Sequence, residues 1–278
     1  MKAIKISTLF LISVLTVLFV GVPFSSCKKE TTTVHDTTTV TVHVHDTTVV
    51  VDTFFDLKDG LVASYNFNGG SLSDASGNGN NIVFNNAKQT TDRFGNANNA
   101  FLFDGSSSYM RVKNSATLNP GSITIFAIFK PNGFYTGTCH GNSIVNKGYP
   151  DQVNGFYCMR FTDYTSDCSS NVDTSKENLL AGFGGLGTEL ASPTVRTGTW
   201  YNVIFTCDGI TAKLYVDGSL VSETAGSISF TGNNHDLFIG KHEDPQYPYY
   251  FNGVMDELKI YSRAISEREV KALSSITE

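Results

Sequence analysis

Trp200-Tyr201-Asn202-Val203-Ile204-Phe205-Thr206-Cys207-Asp208-Gly209-Ile210-Thr211-Ala212-Lys213-Leu214-Tyr215-Val216-Asp217-Gly218 is the stretch that decides the fold. Two runs rich in β-branched and aromatic residues, Trp200–Cys207 and Thr211–Val216, are each followed by Asp-Gly. That dipeptide suits a tight turn between antiparallel strands, so the stretch predicts a hairpin. The pattern repeats on both sides. Leu61–Phe67, Ala100–Phe103, Tyr109–Val112, Ser122–Lys130, Ser143–Asn146, Gly155–Phe161, Leu179–Phe183, Asp236–Gly240 and Gly253–Tyr261 all read as short strands. Asp104-Gly105 is read as another hairpin turn. Many short strands at this spacing predict an all-β antiparallel sandwich or barrel. One helix is signalled: Ser266-Glu267-Arg268-Glu269 is a capping box leading into Val270, Leu273 and Ile276.

The chain has 278 residues, 40% of them hydrophobic, with 25 Gly, 20 Phe and 12 Tyr, enough apolar material for a large sandwich core. With 20 Lys+Arg against 26 Asp+Glu, the net charge of −6 excludes a protein that neutralises phosphates over a basic face; no nucleic-acid partner is expected.

The ordered motifs of residues 56–274 carry a resemblance. Gly60-Leu61-Val62-Ala63-Ser64-Tyr65-Asn66-Phe67, then Asp74-Ala75-Ser76-Gly77-Asn78-Gly79-Asn80, resembles the opening of laminin G-like, concanavalin A-like jelly-roll domains. Phe103-Asp104-Gly105, Trp200–Gly209, Leu214–Gly218, Phe251–Tyr261 and Arg263-Ala264-Ile265-Ser266 follow in matching order. The resemblance implies a two-sheet jelly roll; with the one short C-terminal helix signalled by the capping box, the domain is read as residues 56–278. It also implies that the first and last strands lie side by side. The family includes lectins, glucanases and matrix proteins, so the ligand has to be argued from the residues.

The N-terminus is read as a targeting segment. Lys2 and Lys5 precede an uncharged apolar run, Ile6–Val22, and Phe24-Ser25-Ser26 lead into Cys27. With Phe24 in place of the usual Leu, this resembles a bacterial lipoprotein signal over residues 1–26, making Cys27 the lipidated N-terminus; the alternative is an uncleaved anchor. The expected location is the cell envelope, at the outer membrane or cell surface. Residues 27–55 are read as a stalk. Thr31–Thr53 uses only Thr, Val, His and Asp, with His35-Asp36-Thr37-Thr38 recurring as His45-Asp46-Thr47-Thr48. Its β-branched content predicts a stiff extended segment. A metal site through His35, His43 and His45, or pairing with other copies, remains open.

Candidate site residues come from chemistry that each pattern permits. In His242–Tyr250, the residues Tyr247, Tyr249 and Tyr250 offer flat faces with hydroxyls for stacking on a sugar or peptide, stiffened by Pro245 and Pro248. Strand parity would place Asp256 with Val254, Leu258 and Ile260, and Glu257 on the opposite face with Met255, Lys259 and Tyr261. That separation gives no carboxylate pair for glycoside hydrolysis. His140, His235 and His242 lack a nucleophile motif, so no catalytic residue is expected. A carboxylate on an apolar face needs a partner. Asp74, Asn78 and Asp256 could together hold a structural Ca²⁺; otherwise Asp74 starts an Asx-turn and Asp256 accepts loop N–H groups. In an exported chain Cys139 and Cys168, flanking a predicted hairpin, are expected to form a disulfide, leaving Cys158 and Cys207 as buried thiols. The favoured function is a tethered, non-catalytic module that binds glycans. The alternatives are an envelope protein that binds protein partners and, as a minor one, a glycoside hydrolase.

Overall fold

The computed structural model describes residues 31–33, 38–45, 48–134, 142–148, 156–162, 176–184, 189–226, 230 and 232–275. The signal-peptide reading, Cys27 and the Cys139–Cys168 bridge lie outside the described residues. The chain divides into two compact units, one ending at Phe54 and one beginning at Phe55.

In the first unit, β1 (Thr31–Thr33), β2 (Thr38–His45) and β3 (Thr48–Phe55) form a three-stranded sheet, with Thr31 opposite Thr41 in the antiparallel β1–β2 pair. Sequence analysis expected one extended segment; the strands instead fold back on one another. Pairing within the chain satisfies backbone groups that a lone strand leaves without partners.

The second unit is a sandwich of two antiparallel sheets. Its strands are β4 (Leu61–Tyr65), β5 (Ile82–Asn85), β6 (Lys88–Thr90), β7 (Ala100–Asp104), β8 (Met110–Val112), β9 (Ile123–Gly133), β10 (Asn142–Lys147) and β11 (Phe156–Thr162). They continue as β12 (Lys176–Gly184), β13 (Leu190–Arg196), β14 (Tyr201–Cys207), β15 (Thr211–Val216), β16 (Ser219–Ala225), β17 (Leu237–Ile239) and β18 (Asn252–Tyr261), and the helix is α1 (Glu267–Ser274). One sheet runs β13-β12-β11-β10-β17-β8-β5. The other runs β16-β15-β14-β9-β18-β7-β6, with β4 also paired to β18. The first and last strands of the unit therefore do lie side by side, with Tyr65 opposite Leu258.

Alternation decides which side chains meet between the sheets. Ile123, Ile125, Ala127 and Phe129 of β9, and Val203, Phe205 and Cys207 of β14, point into the common core. The intervening Phe126, Ile128 and Ile204 face outward, where Val270 and Leu273 of α1 cover them together with Tyr215 and Tyr261. Both faces of this sheet are thus buried, which is why 125–129 is an uninterrupted apolar run. The predicted capping box closes α1: Ser266 Oγ accepts from Glu269 N, and Glu269 Oε2 accepts from Ser266 N at 2.7 Å.

Two expectations need correction. Asp217-Gly218 is a two-residue hairpin turn with φ of 49° and 76°, and Asp208-Gly209 also links paired strands. Asp104-Gly105 is not a hairpin, because β7 and β8 belong to different sheets. The Asp104 carboxylate accepts the N–H groups of Ser106, Ser107 and Ser108, organising a crossover between sheets. Strand parity also fails within β18. A bulge between Met255 and Glu257 sets Met255 opposite Phe129 and Glu257 opposite Ile128, so Asp256 is the extra residue. Met255 consequently joins Leu258 and Ile260 in the core, while Asp256 and Glu257 both turn to Arg93.

Candidate ligand-binding face

Pairing register places one row of side chains across the outer face of the seven-stranded sheet. Phe84 on β5 is opposite Arg111 on β8, Arg111 opposite Phe238 on β17, and Phe238 opposite Asn146 on β10. Asn146 is in turn opposite Cys158 on β11, and Cys158 opposite Gly182 on β12. Residues paired in this way share a face. Their neighbours Met110, Val112, Leu237, Ile239, Tyr157 and Met159 point into the core.

The segment between β17 and β18 lies over this row. Glu243 N donates to Asn146 Oδ1, Ser143 N donates to Tyr249 O at 2.8 Å, and Asn142 Nδ2 donates to Tyr250 O at 2.9 Å. His242 N donates to Pro248 O, closing the loop on itself. Tyr249 is held at φ 43°, a left-handed conformation uncommon for a bulky residue and kept here by these backbone bonds.

The loop separates the three tyrosines predicted as ligand contacts. Tyr247 is 39% exposed, and its ring stacks on Tyr249 at 6.0 Å and 21°. His242 meets Tyr249 edge-on at 5.9 Å and 63°. Beside them Arg160 is held in a bidentate pair by Glu189, Nε to Oε1 at 2.9 Å and Nη2 to Oε2 at 2.8 Å. Burial disfavours the guanidinium charge, but the Glu189 hydrogen bonds and the nearby acids raise the Arg160 pKa in sum. Gly182 makes room for the pair: a Cβ there would come within 2.6 Å of Glu189 Cγ. Cys158 donates its thiol to Glu189 Oε1, and burial followed by that carboxylate pushes its pKa well up, so this thiol stays protonated. Cys158 and Cys207 are both free and buried, as expected, although Cys158 serves the outer face and only Cys207 the core.

Tyr250 turns instead to the other half of the face, where Lys241 Nζ lies 5.9 Å from its ring, 4.8 Å from Tyr109 and 5.0 Å from Phe238. Of this group sequence analysis named only Tyr250, and it did not name the Arg160–Glu189 pair. The available signal was period-two spacing: Tyr109 and Arg111 flank core Met110, and Phe238 stands between core Leu237 and Ile239.

Of the residues proposed for calcium, Asp74 and Asn78 meet through Ser76 Oγ, whereas Asp256 pairs with Arg93. Asp74 Oδ1 accepts from Ser64 N and Ser76 N, while Oδ2 accepts from Ser76 Oγ and Asn80 N. The Ser76 bond is the Asx-turn alternative. Asn78 Nδ2 donates to Leu61 O, and Asp256 Oδ2 accepts from Arg93 N at 3.2 Å and Nη1 at 2.6 Å. Among the described residues no group of three His, Cys, Asp or Glu side chains is placed to share a metal ion.

Comparison with known proteins gives consistent findings. A family model described as the concanavalin A-like lectin/glucanases superfamily matches residues 104–271. Domain 4 of a GH43 extracellular arabinanase from Geobacillus stearothermophilus, solved in complex with arabinotriose, is 22% identical with a TM-score of 0.51; the match covers 77% of this chain and 98% of that one. The binding domain of Paraclostridial Mosquitocidal Protein 1 is 17% identical with a TM-score of 0.59, over 79% of this chain and 52% of that one. The binding domain of botulinum neurotoxin DC, solved with rat synaptotagmin II, is 12% identical with a TM-score of 0.54, also over 79% and 52%. The match thus spans about half the length of the two toxin structures. Identities this low establish a shared fold. No curated protein matches the chain.

Proposed function

The chain belongs to the concanavalin A-like lectin/glucanase superfamily, and from that premise we propose that its second unit is a non-catalytic recognition module for glycans, exported and tethered at the cell envelope by a lipid on Cys27. The observation that carries this reading is the Tyr247–Tyr249 stack on the outer sheet face, beside the Arg160–Glu189 pair. A half-exposed ring stack offers a sugar an apolar face, and fixed polar groups beside it select its hydroxyls. The arabinanase domain, solved in complex with arabinotriose, supports the same class of ligand. The bulge supports the non-catalytic part. Asp256 and Glu257 share Arg93, at 2.6 and 3.8 Å, and both side chains are largely buried. Carboxylates locked to a guanidinium beneath the surface are not free to protonate a glycosidic oxygen.

The second reading is a protein ligand. It is favoured by the likeness to a toxin domain solved with synaptotagmin II. A glycan array probed with the full-length protein separates the two. Saturable binding that weakens about tenfold or more in Tyr247→Ala/Tyr249→Ala is the expected result, corresponding to about 1.4 kcal/mol of lost stacking. Silence across the array, with an envelope protein co-purifying, overturns the glycan reading.

A further inference from the structure

The half of the sheet face on the far side of the loop is built differently from the tyrosine stack. Phe84 stacks on Tyr109 at 4.6 Å and 27°, and Tyr109 meets Phe238 at 6.1 Å. Val83, thrown outward by a bulge between Ile82 and Phe84, is 55% exposed at the margin. Two cations stand among these half-buried rings. Lys241 Nζ is shared by Tyr109, Phe238 and Tyr250, and among the described residues it has neither a hydrogen bond nor an ion pair. Arg111 lies between Phe84 and Phe238 in the row; its Nε is out of solvent without a partner, while its side chain remains 38% exposed.

The nearby acids hold other groups, although Glu243 Oε2 is buried without a partner. Asp236 Oδ2 is held by Lys113 at 3.1 Å and Oδ1 by Asn114 N at 2.9 Å, leaving Arg111 a contact of 3.8 Å. Glu243 places Oε1 on His235 Nδ1 at 2.9 Å. Ring faces attract an ammonium but do not neutralise it, so this surface keeps positive charge over an aromatic floor.

We propose that the patch formed by Phe84, Tyr109, Arg111, Phe238, Lys241 and Tyr250 is a second subsite that takes the acidic residue of a carboxylated glycan, ring on the aromatic floor and carboxylate toward Lys241 and Arg111. This inference rests on the glycan reading above and specifies the charge of the sugar. A uronate complements both parts: its pyranose face is apolar enough to stack, and its carboxylate supplies the anion that Lys241 lacks. Burial lowers the Lys241 pKa, with Glu243 opposing, and a bound carboxylate would offset that desolvation.

Titrating full-length protein with polygalacturonate, alginate and hyaluronan, each beside its methyl-esterified form, tests the assignment. The expected result is at least one acidic polymer bound about tenfold or more tightly than its ester, a preference that shrinks with added salt. Lys241→Gln and Arg111→Gln should each remove that preference, and Lys241→Arg should restore it in a protein with an unchanged melting curve. Equal binding of acid and ester, or full acid preference in Lys241→Gln, overturns the subsite. In that case neutral-glycan binding that still depends on Tyr247 leaves the broader glycan reading intact. Absence of binding to any polymer, acidic or neutral, overturns both.

Discussion

Lys147 is fully buried, and its ammonium is held by Asn119 Oδ1 at 2.9 Å and Asn233 Oδ1 at 2.6 Å. Burial lowers its pKa to about 8 against the attraction of Glu243 and Asp236. The folded state therefore binds fewer protons than the unfolded chain between about pH 8 and the ordinary lysine value, and stability rises with pH across that window. Lys147→Met has no group to titrate there. Melting temperatures of the two proteins should diverge in favour of wild type as pH climbs from 8 to 10; a constant difference contradicts the assignment. Asp256 presents the opposite case. It is 5% exposed, and burial raises its pKa despite the Arg93 contacts. Arg93→Ala leaves that carboxylate buried without its cation, an expected loss of about 3 kcal/mol by chemical denaturation at pH 8. With a folded pKa above the unfolded one, the acid favours folding as pH falls, so the loss should be smaller at pH 5. An equal loss at both pH values would show that Arg93 acts only through packing.

Elements whose determinants are local in sequence are legible from it; those set by partner strands are not. The cap of α1 is carried within four residues, and the structure forms it as read: Ser266 and Glu269 bond reciprocally, and Glu269 also holds Arg263 through Nη1 and Nη2. Ser266→Ala should cost about 1 kcal/mol of global stability, because α1 covers Tyr215 and Tyr261 and cannot fray without exposing them. Glu269→Ala should cost more, since it removes the cap and the Arg263 pair together; equal values would mean the ion pair contributes nothing. Asp217-Gly218 was legible for the same local reason. The β18 bulge was not. It falls where the partner strand beside β18 changes from β7, paired as far as Met255, to β4, paired from Leu258 onward. No residue within β18 announces that junction, so a period-two reading separates Asp256 from Glu257. The candidate site follows the same rule. The loop tyrosines stand out by composition, whereas Phe84, Arg111 and Phe238 become neighbours only through the order of β5, β8 and β17.

At the scale of the whole molecule, the thiols report on compartment and fold together. The five cysteines are Cys27, Cys139, Cys158, Cys168 and Cys207. Cys158 and Cys207 are free and buried, and desolvation is the first cause raising the pKa of each, so neither should react with a thiol reagent while the protein is folded. If the chain is exported as a lipoprotein, Cys27 is acylated and Cys139 and Cys168 are in an oxidising compartment. The β10–β11 hairpin is formed with Asn142 opposite Phe161, so the segments carrying Cys139 and Cys168 leave it at the same end. Protein isolated from the envelope should then show no reactive thiol when native. Denaturation without reductant should release only Cys158 and Cys207, and reductant should add Cys139 and Cys168. Closing a loop of this length contributes roughly 3 kcal/mol in the chain-entropy model, so reductant should also lower the melting temperature. Peptide mapping of the alkylated products identifies each cysteine. Reactive Cys139 or Cys168 in the unreduced protein would remove the disulfide, and a free Cys27 would remove the lipid anchor, without touching the sandwich or the face it presents.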